Sequence, residues 1–118
     1  MKLKRAEEEG MANFRKISEA LAFAGEKMKK NGLFETERLF CDLYCFEPGQ
    51  SQAAHTHEGS DKIYYVVDGK GHFRVGDEER ELGAREIAIA PSGQRHGVEN
   101  KGPERLVLLV FMAPKPHG

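Results

Sequence analysis

Apolar and polar positions along the chain change their repeat once, near Gly25. Before it, Phe14, Ile17, Ala20, Leu21 and Ala24 fall at three- and four-residue intervals, which gathers them on one face of a helix. The spacing predicts a short amphipathic helix over residues 13–24, with Asn13 as N-cap and Gly25 as stop. After Gly25 the repeat becomes two and turn residues recur regularly, the mark of an all-β sandwich or barrel rather than of alternating strands and helices. Strands are predicted over residues 26–30, 36–46, 53–57, 62–67, 71–75, 79–82, 86–90, 96–99 and 105–111. Turns fall at Pro48-Gly49, Asp68-Gly69, Gly76-Asp77, Pro91-Ser92-Gly93 and residues 100–103, where Gly69, Gly76 and Gly102 can take the positive φ that such turns often need.

Two strands are apolar on both faces. Leu39, Cys41, Leu43 and Cys45 form one row, while Phe40, Tyr44 and Phe46 dominate the other; residues 106–112, Leu-Val-Leu-Leu-Val-Phe-Met, have no polar face. A barrel wall open to water needs one apolar face, so the surplus implies a second buried surface. A homodimer interface is its expected use, and coverage by the N-terminal helix is the alternative.

Composition narrows the partners. With 18 basic and 19 acidic residues the net charge is -1, which gives no positive field for phosphate backbones. Nucleic acid is not an expected partner, nor is a membrane, since no apolar run approaches the roughly 18–20 residues of a span and the N-terminus lacks the hydrophobic stretch of a secretory signal. A cytoplasmic location follows as the expectation. The length suits one domain, divided into a flexible leader (1–12), a single domain (13–113) and a tail (114–118). Cys41 and Cys45 lie four residues apart on one predicted strand, roughly 13 Å between Cα atoms. A disulfide tolerates under about 7 Å, so both are expected as reduced, half-buried thiols.

The candidate chemistry lies in the histidines. On an extended chain His55 and His57 share a face, roughly 6 to 7 Å apart along the strand, and His96 follows 39 residues after His57 in a second turn-flanked segment. In one small barrel these three imidazoles converge on a metal site. His72 and His117 fall outside this pattern and are expected as a partly exposed residue and part of the tail. No Gly-x-Ser-x-Gly elbow, Gly-rich phosphate loop or Cys-x-x-Cys occurs, which leaves acyl transfer, nucleotide hydrolysis and dithiol redox chemistry without residues to carry them.

The stretch Gly49-x5-His55-x-His57-x4-Lys62-x6-Gly69 resembles the first motif of the cupin family, and Pro91-x-Gly93-x2-His96-x3-Asn100 resembles its second, the two together covering roughly residues 36–112. The resemblance implies a cupin jelly-roll barrel, often dimeric, whose matching histidines hold a divalent metal at the barrel's inner end. Two positions depart from it. The family's glycine six residues before Pro91 is Arg85, for which Gly83 is expected to serve the turn. The family's glutamate is Lys62, and an ammonium about 4 Å from a divalent ion would be repelled by about 8 kcal/mol at an effective dielectric near 20.

Three arrangements resolve that conflict. Asp61 takes over as the carboxylate ligand, which needs a bulge near Gly59-Ser60. Alternatively His55, His57 and His96 hold the metal alone while Lys62 pairs with an anionic substrate. In the third there is no metal, and the histidines with Lys62 bind a small anion. Tyr64 shares the face of Lys62 and is a second substrate-binding candidate; Gln50, Gln52 and Arg95 are candidates at the mouth. Imidazole donors suit Fe, Ni, Cu or Zn. The expected function is a metal-binding cupin taking a small polar or anionic molecule, an oxygenase or isomerase if an enzyme, with a non-catalytic binding barrel as the alternative.

Overall fold

The computed structural model describes residues 13–116; the leader expected over residues 1–12 and His117 lie outside the described residues. Nine strands form two antiparallel sheets among them. These are β1 (Lys29–Glu35), β2 (Phe40–Phe46), β3 (Ser51–His55), β4 (Asp61–Asp68), β5 (Gly71–Val75), β6 (Glu78–Leu82), β7 (Ile87–Ala90), β8 (His96–Glu99) and β9 (Leu106–Ala113). One sheet has the order β1-β2-β9-β4-β7 and the other β3-β8-β5-β6. The all-β architecture expected from the period-two pattern and the jelly roll implied by the family resemblance are the fold.

Alternation fills the barrel. Tyr44 and Phe46 of β2, Tyr64 and Val66 of β4, Phe73 of β5, Val98 of β8 and Leu106, Leu108 and Val110 of β9 form one buried cluster between the sheets. The opposite rows of β2 and β9 supply Cys41, Leu43, Cys45 and Val107, which join Leu33 and Ala20 in a second cluster on the outer face of the five-stranded sheet. Cys41 and Cys45 are buried free thiols. At the turn after β4, Gly69 has φ +85°, and a Cβ there would stand 2.2 Å from the Arg105 carbonyl oxygen.

The second apolar surface has two fates. Ile17, Ala20 and Phe23 of the N-terminal segment cover part of it. The remainder, on β9, β4 and β7, leaves Phe111, Ile87 and Ile89 exposed, with Ile63 paired between Phe111 and Ile89.

The covering segment is not the expected α-helix. It contains a four-residue 3-10 turn, Ile17–Ala20, entered from an extended Lys16 that makes no side-chain cap. Its later carbonyls are taken by side chains, Asn31 Nδ2 donating to Ala22 O and Gln50 Nε2 to Ala24 O, so the backbone follows the sheet instead of closing helical bonds. Two strand boundaries shift for similar reasons. Residues 36–39 form a turn in which Thr36 Oγ1 accepts the N–H groups of Arg38 and Leu39, and the first strand extends to Glu35 because β2 offers its edge. Arg85, not Gly83, takes the left-handed conformation of the turn before β7, with φ 72°. No helix among the described residues is long and apolar enough to cross a membrane.

Candidate metal and small-molecule site

The histidines reach one another through an irregularity in β3. Gln52 pairs with Val98 and His55 with His96, so three steps on β3 match two on β8. Simple alternation would put His55 on the face opposite Gln52; the extra residue, a β-bulge, turns both inward. The bulge is accommodated by Gly97, where a Cβ would lie 2.9 Å from the Gln52 carbonyl oxygen and 3.0 Å from Ala54 Cα. His57 follows in the loop, its carbonyl accepting the Gly93 N–H at 2.8 Å, which ties this loop to the turn before β8.

The result is a compact group. Ring centroids are 4.7 Å apart for His55 and His57, 4.3 Å for His55 and His96, and 5.6 Å for His57 and His96, with one ring nitrogen from each inside a mutual 4.8 Å. Nitrogens about 2.1 Å from one ion stand no more than about 4.2 Å apart, so closure on an ion needs shifts of a fraction of an ångström. Nδ1 of His55 lies 2.8 Å from Ala53 O and Nδ1 of His96 lies 2.9 Å from Gln94 O. A carbonyl only accepts, so each Nδ1 carries the hydrogen and each Nε2 keeps a lone pair, the tautomer of a metal ligand. His96 Nε2 is buried with no hydrogen-bond partner. Burial holds all three imidazoles below the usual histidine range, His96 at about 4, so they stand neutral near pH 7. The donor set fits a divalent transition ion.

The neighbouring wall is β4, whose register against β9 and β7 is regular around Lys62. Lys62 therefore faces inward and is 1% exposed. Its Nζ lies 5.2 Å from the ring centroids of both Tyr44 and Tyr64. Burial, aided by the charge of Lys30, brings the amine down to about 7. Asp61 faces outward, and its Oδ1 accepts the Ser92 N–H at 2.9 Å; the expectation of an Asp61 ligand is not met, because the required bulge at the start of β4 is absent. Tyr64 is buried, donates its hydroxyl to Gln52 Oε1 at 2.9 Å and sits 6.2 Å from the His96 ring.

Other candidates sort plainly. Gln50 is structural, bonded to Ala24 O and the Glu47 N–H, and Arg95 is exposed. His72, on the outside of the other sheet, bonds Glu79 at 2.8 Å. Asp42 escaped the sequence reading. It shares the inward row of β2 with Tyr44 and Phe46, and burial, then Glu35, pushes its carboxyl up to about 6. The available signal was a lone acid two residues from Tyr44 in an otherwise apolar strand.

Residues 42–112 match the profile of the cupin domain. The chain belongs to the cupin family. This cupin is 40% identical over 72 residues to the tetracenomycin polyketide synthase protein TcmJ of Streptomyces glaucescens, a match covering 58% of this chain and 48% of that protein. It thus spans about half the length of that relative. It is 32% identical over 85 residues to the oxalate-binding protein of Thermotoga maritima, covering 72% and 69% of the two chains. The crystal structure of TT1209 from Thermus thermophilus superposes with a TM-score of 0.86 at 42% identity, over 89% of this cupin and all of that chain.

Proposed function

We propose that this cupin holds a divalent transition metal through His55, His57 and His96 and binds a small organic anion beside it, with Lys62 and Tyr64 on the anion's side. The observation that carries this reading is the group of three ring nitrogens within 4.8 Å, with His96 Nε2 buried and unpartnered. Iron, nickel, copper and zinc all suit imidazole donors. When bound, such an ion supplies Lewis acidity to an oxygen of the bound molecule. Lys62, inside the barrel between two tyrosine rings, favours an anion over a neutral ligand, and the relative named for oxalate supports a small acid.

Asp42 near 6 and Lys62 near 7 on the inner walls favour proton-transfer catalysis, such as an isomerisation, over binding alone, because both groups exchange protons near neutral pH. The bare outer strip at Phe111, Ile87 and Ile89 supports a homodimer, and Ile89→Glu is expected to sediment as a monomer where the unaltered chain sediments as a dimer. The balanced charge and free thiols are consistent with the cytoplasm. Metal analysis of untagged protein tests the central reading. Metal stoichiometric with the chain and lost in His57→Ala is expected; metal content unchanged by that substitution overturns it. Turnover of small acids, with oxygen uptake recorded, separates catalysis from binding.

A further inference from the structure

Gln52 stands out once the histidines are accounted for. It is 8% exposed, faces the barrel interior opposite Val98, and lies one register step from the His55–His96 pair. Its Oε1 accepts the Tyr64 hydroxyl, while its Nε2 is buried on the side of the Tyr44 phenol and makes no hydrogen bond within normal geometry to it or to any other group. A buried amide N–H without an acceptor destabilises the fold, and Leu or Met at this position would avoid the cost. The two buried side-chain atoms without partners among the described residues are this donor and His96 Nε2, both on the inner face of the β3–β8 ladder.

We infer that Gln52 positions the ligand: its side-chain N–H donates to an oxygen of the small anion that also meets the imidazole group, and the Tyr64 hydroxyl holds the amide in the direction that leaves this N–H available. The inference rests on the function proposed above and adds the ligand's shape. Tyr64 is buried, and burial raises its phenol far above neutral pH, so it stays protonated and needs an acceptor. Oε1 is that acceptor, which turns Nε2 away from Tyr64 and toward the side of Tyr44. An amide donor here and the Lys62 amine over the same Tyr64 ring both call for oxygen acceptors away from the imidazoles. Tyr44, Tyr64, Phe73 and Val98 fill the space beyond. The ligand class is therefore a compact acid with oxygens at both ends, a short dicarboxylate or a 2-oxo acid.

The test is calorimetric titration of oxalate, and separately pyruvate, into the zinc-loaded full chain and its Gln52→Met and Gln52→Glu variants, with zinc content and thermal melting measured in parallel. Loss of one hydrogen bond to a charged ligand predicts affinity weakened about ten- to hundred-fold in Gln52→Met, with zinc content retained. Gln52→Glu, which replaces the donor by an acceptor of the same shape, is expected to weaken oxalate further while still holding zinc. If Gln52→Met fails to fold because the Tyr64 hydroxyl loses its acceptor, the double variant Gln52→Met/Tyr64→Phe removes both polar partners and restores melting, and oxalate binding stays weak. Oxalate affinity unchanged in these variants overturns the inference and leaves the metal reading standing. Zinc-loaded protein that binds neither acid overturns the ligand class, and with it the inference. A chain that takes up no zinc brings down the metal reading itself.

Discussion

β3 and β4 both deliver polar side chains to the interior, by opposite means. From Lys62 to Val66 the alternation of β4 is unbroken, its register shifting only beyond Val66, and Lys62, Tyr64 and Val66 face inward because every second residue does. On β3 an extra residue between Gln52 and His55 breaks the alternation, and His55 joins the site because of that break. The regular wall carries the charge and the aromatic rings; the bulged wall carries the imidazoles. The bulge costs ladder hydrogen bonds and requires a glycine on the neighbouring strand, a sacrifice typical of a functional site rather than of packing.

The largest effect should come from breaking the bulged wall at its support. Gly97→Val places atoms against the Gln52 carbonyl and Ala54 Cα, and unfolding in urea should show a loss of about 3 kcal/mol or more; a stability near wild type would mean that the bulge does not press on Gly97. On the regular wall, Lys62→Met should stabilise the protein by about 1–4 kcal/mol at pH 7, as for other buried charges replaced by apolar side chains. The pH dependence separates this from simple packing. Lys62 titrates near 7 when folded and near 10.5 when unfolded; between those values the unfolded chain binds more protons, so stability should rise with pH across that window. The rise is at most about 1.4 kcal/mol per unit, the penalty is fully present below pH 7, and the slope should vanish in Lys62→Met. A wild-type stability flat from pH 7 to 10 would place the ammonium in contact with water.

Smaller effects sharpen the same contrast. The Arg85 N–H donates to Val66 O at 2.8 Å, anchoring its turn to β4, while Arg85 itself adopts the left-handed conformation. Arg85→Gly relieves that strain and should raise stability by about 1 kcal/mol in chemical denaturation; destabilisation would show that the arginine side chain compensates. Behind the bulged wall, His72 pairs with Glu79 on the exposed face. His72→Ala should change stability by no more than about 0.5 kcal/mol and leave metal content untouched, and a loss of metal would extend the site through the sheet.

Much of this molecule was legible from local pattern. Period-two alternation gave the barrel and most strands, and it put Lys62 and Tyr64 on one inner face because β4 is regular up to Val66. The amphipathic spacing of residues 14–24 misled, since the same apolar residues serve a 3-10 turn lying on the sheet when Asn31 and Gln50 take its carbonyls. The roles of Gln50 and Gln52, near neighbours of the same type, diverge entirely with their partners.

His55 and His57 were expected to converge by strand alternation, and they converge by another route: a bulge for the first and a loop tied to Gly93 for the second. What the order of residues settles is which side chains are available and, along unbroken strands, which face each takes, because backbone geometry makes that a local matter. Whether Asp61 or Lys62 enters the barrel, which histidine nitrogen keeps its lone pair, and where a buried donor goes unpartnered all depend on the register between strands distant in sequence. Those outcomes are set by neighbours that only folding brings together.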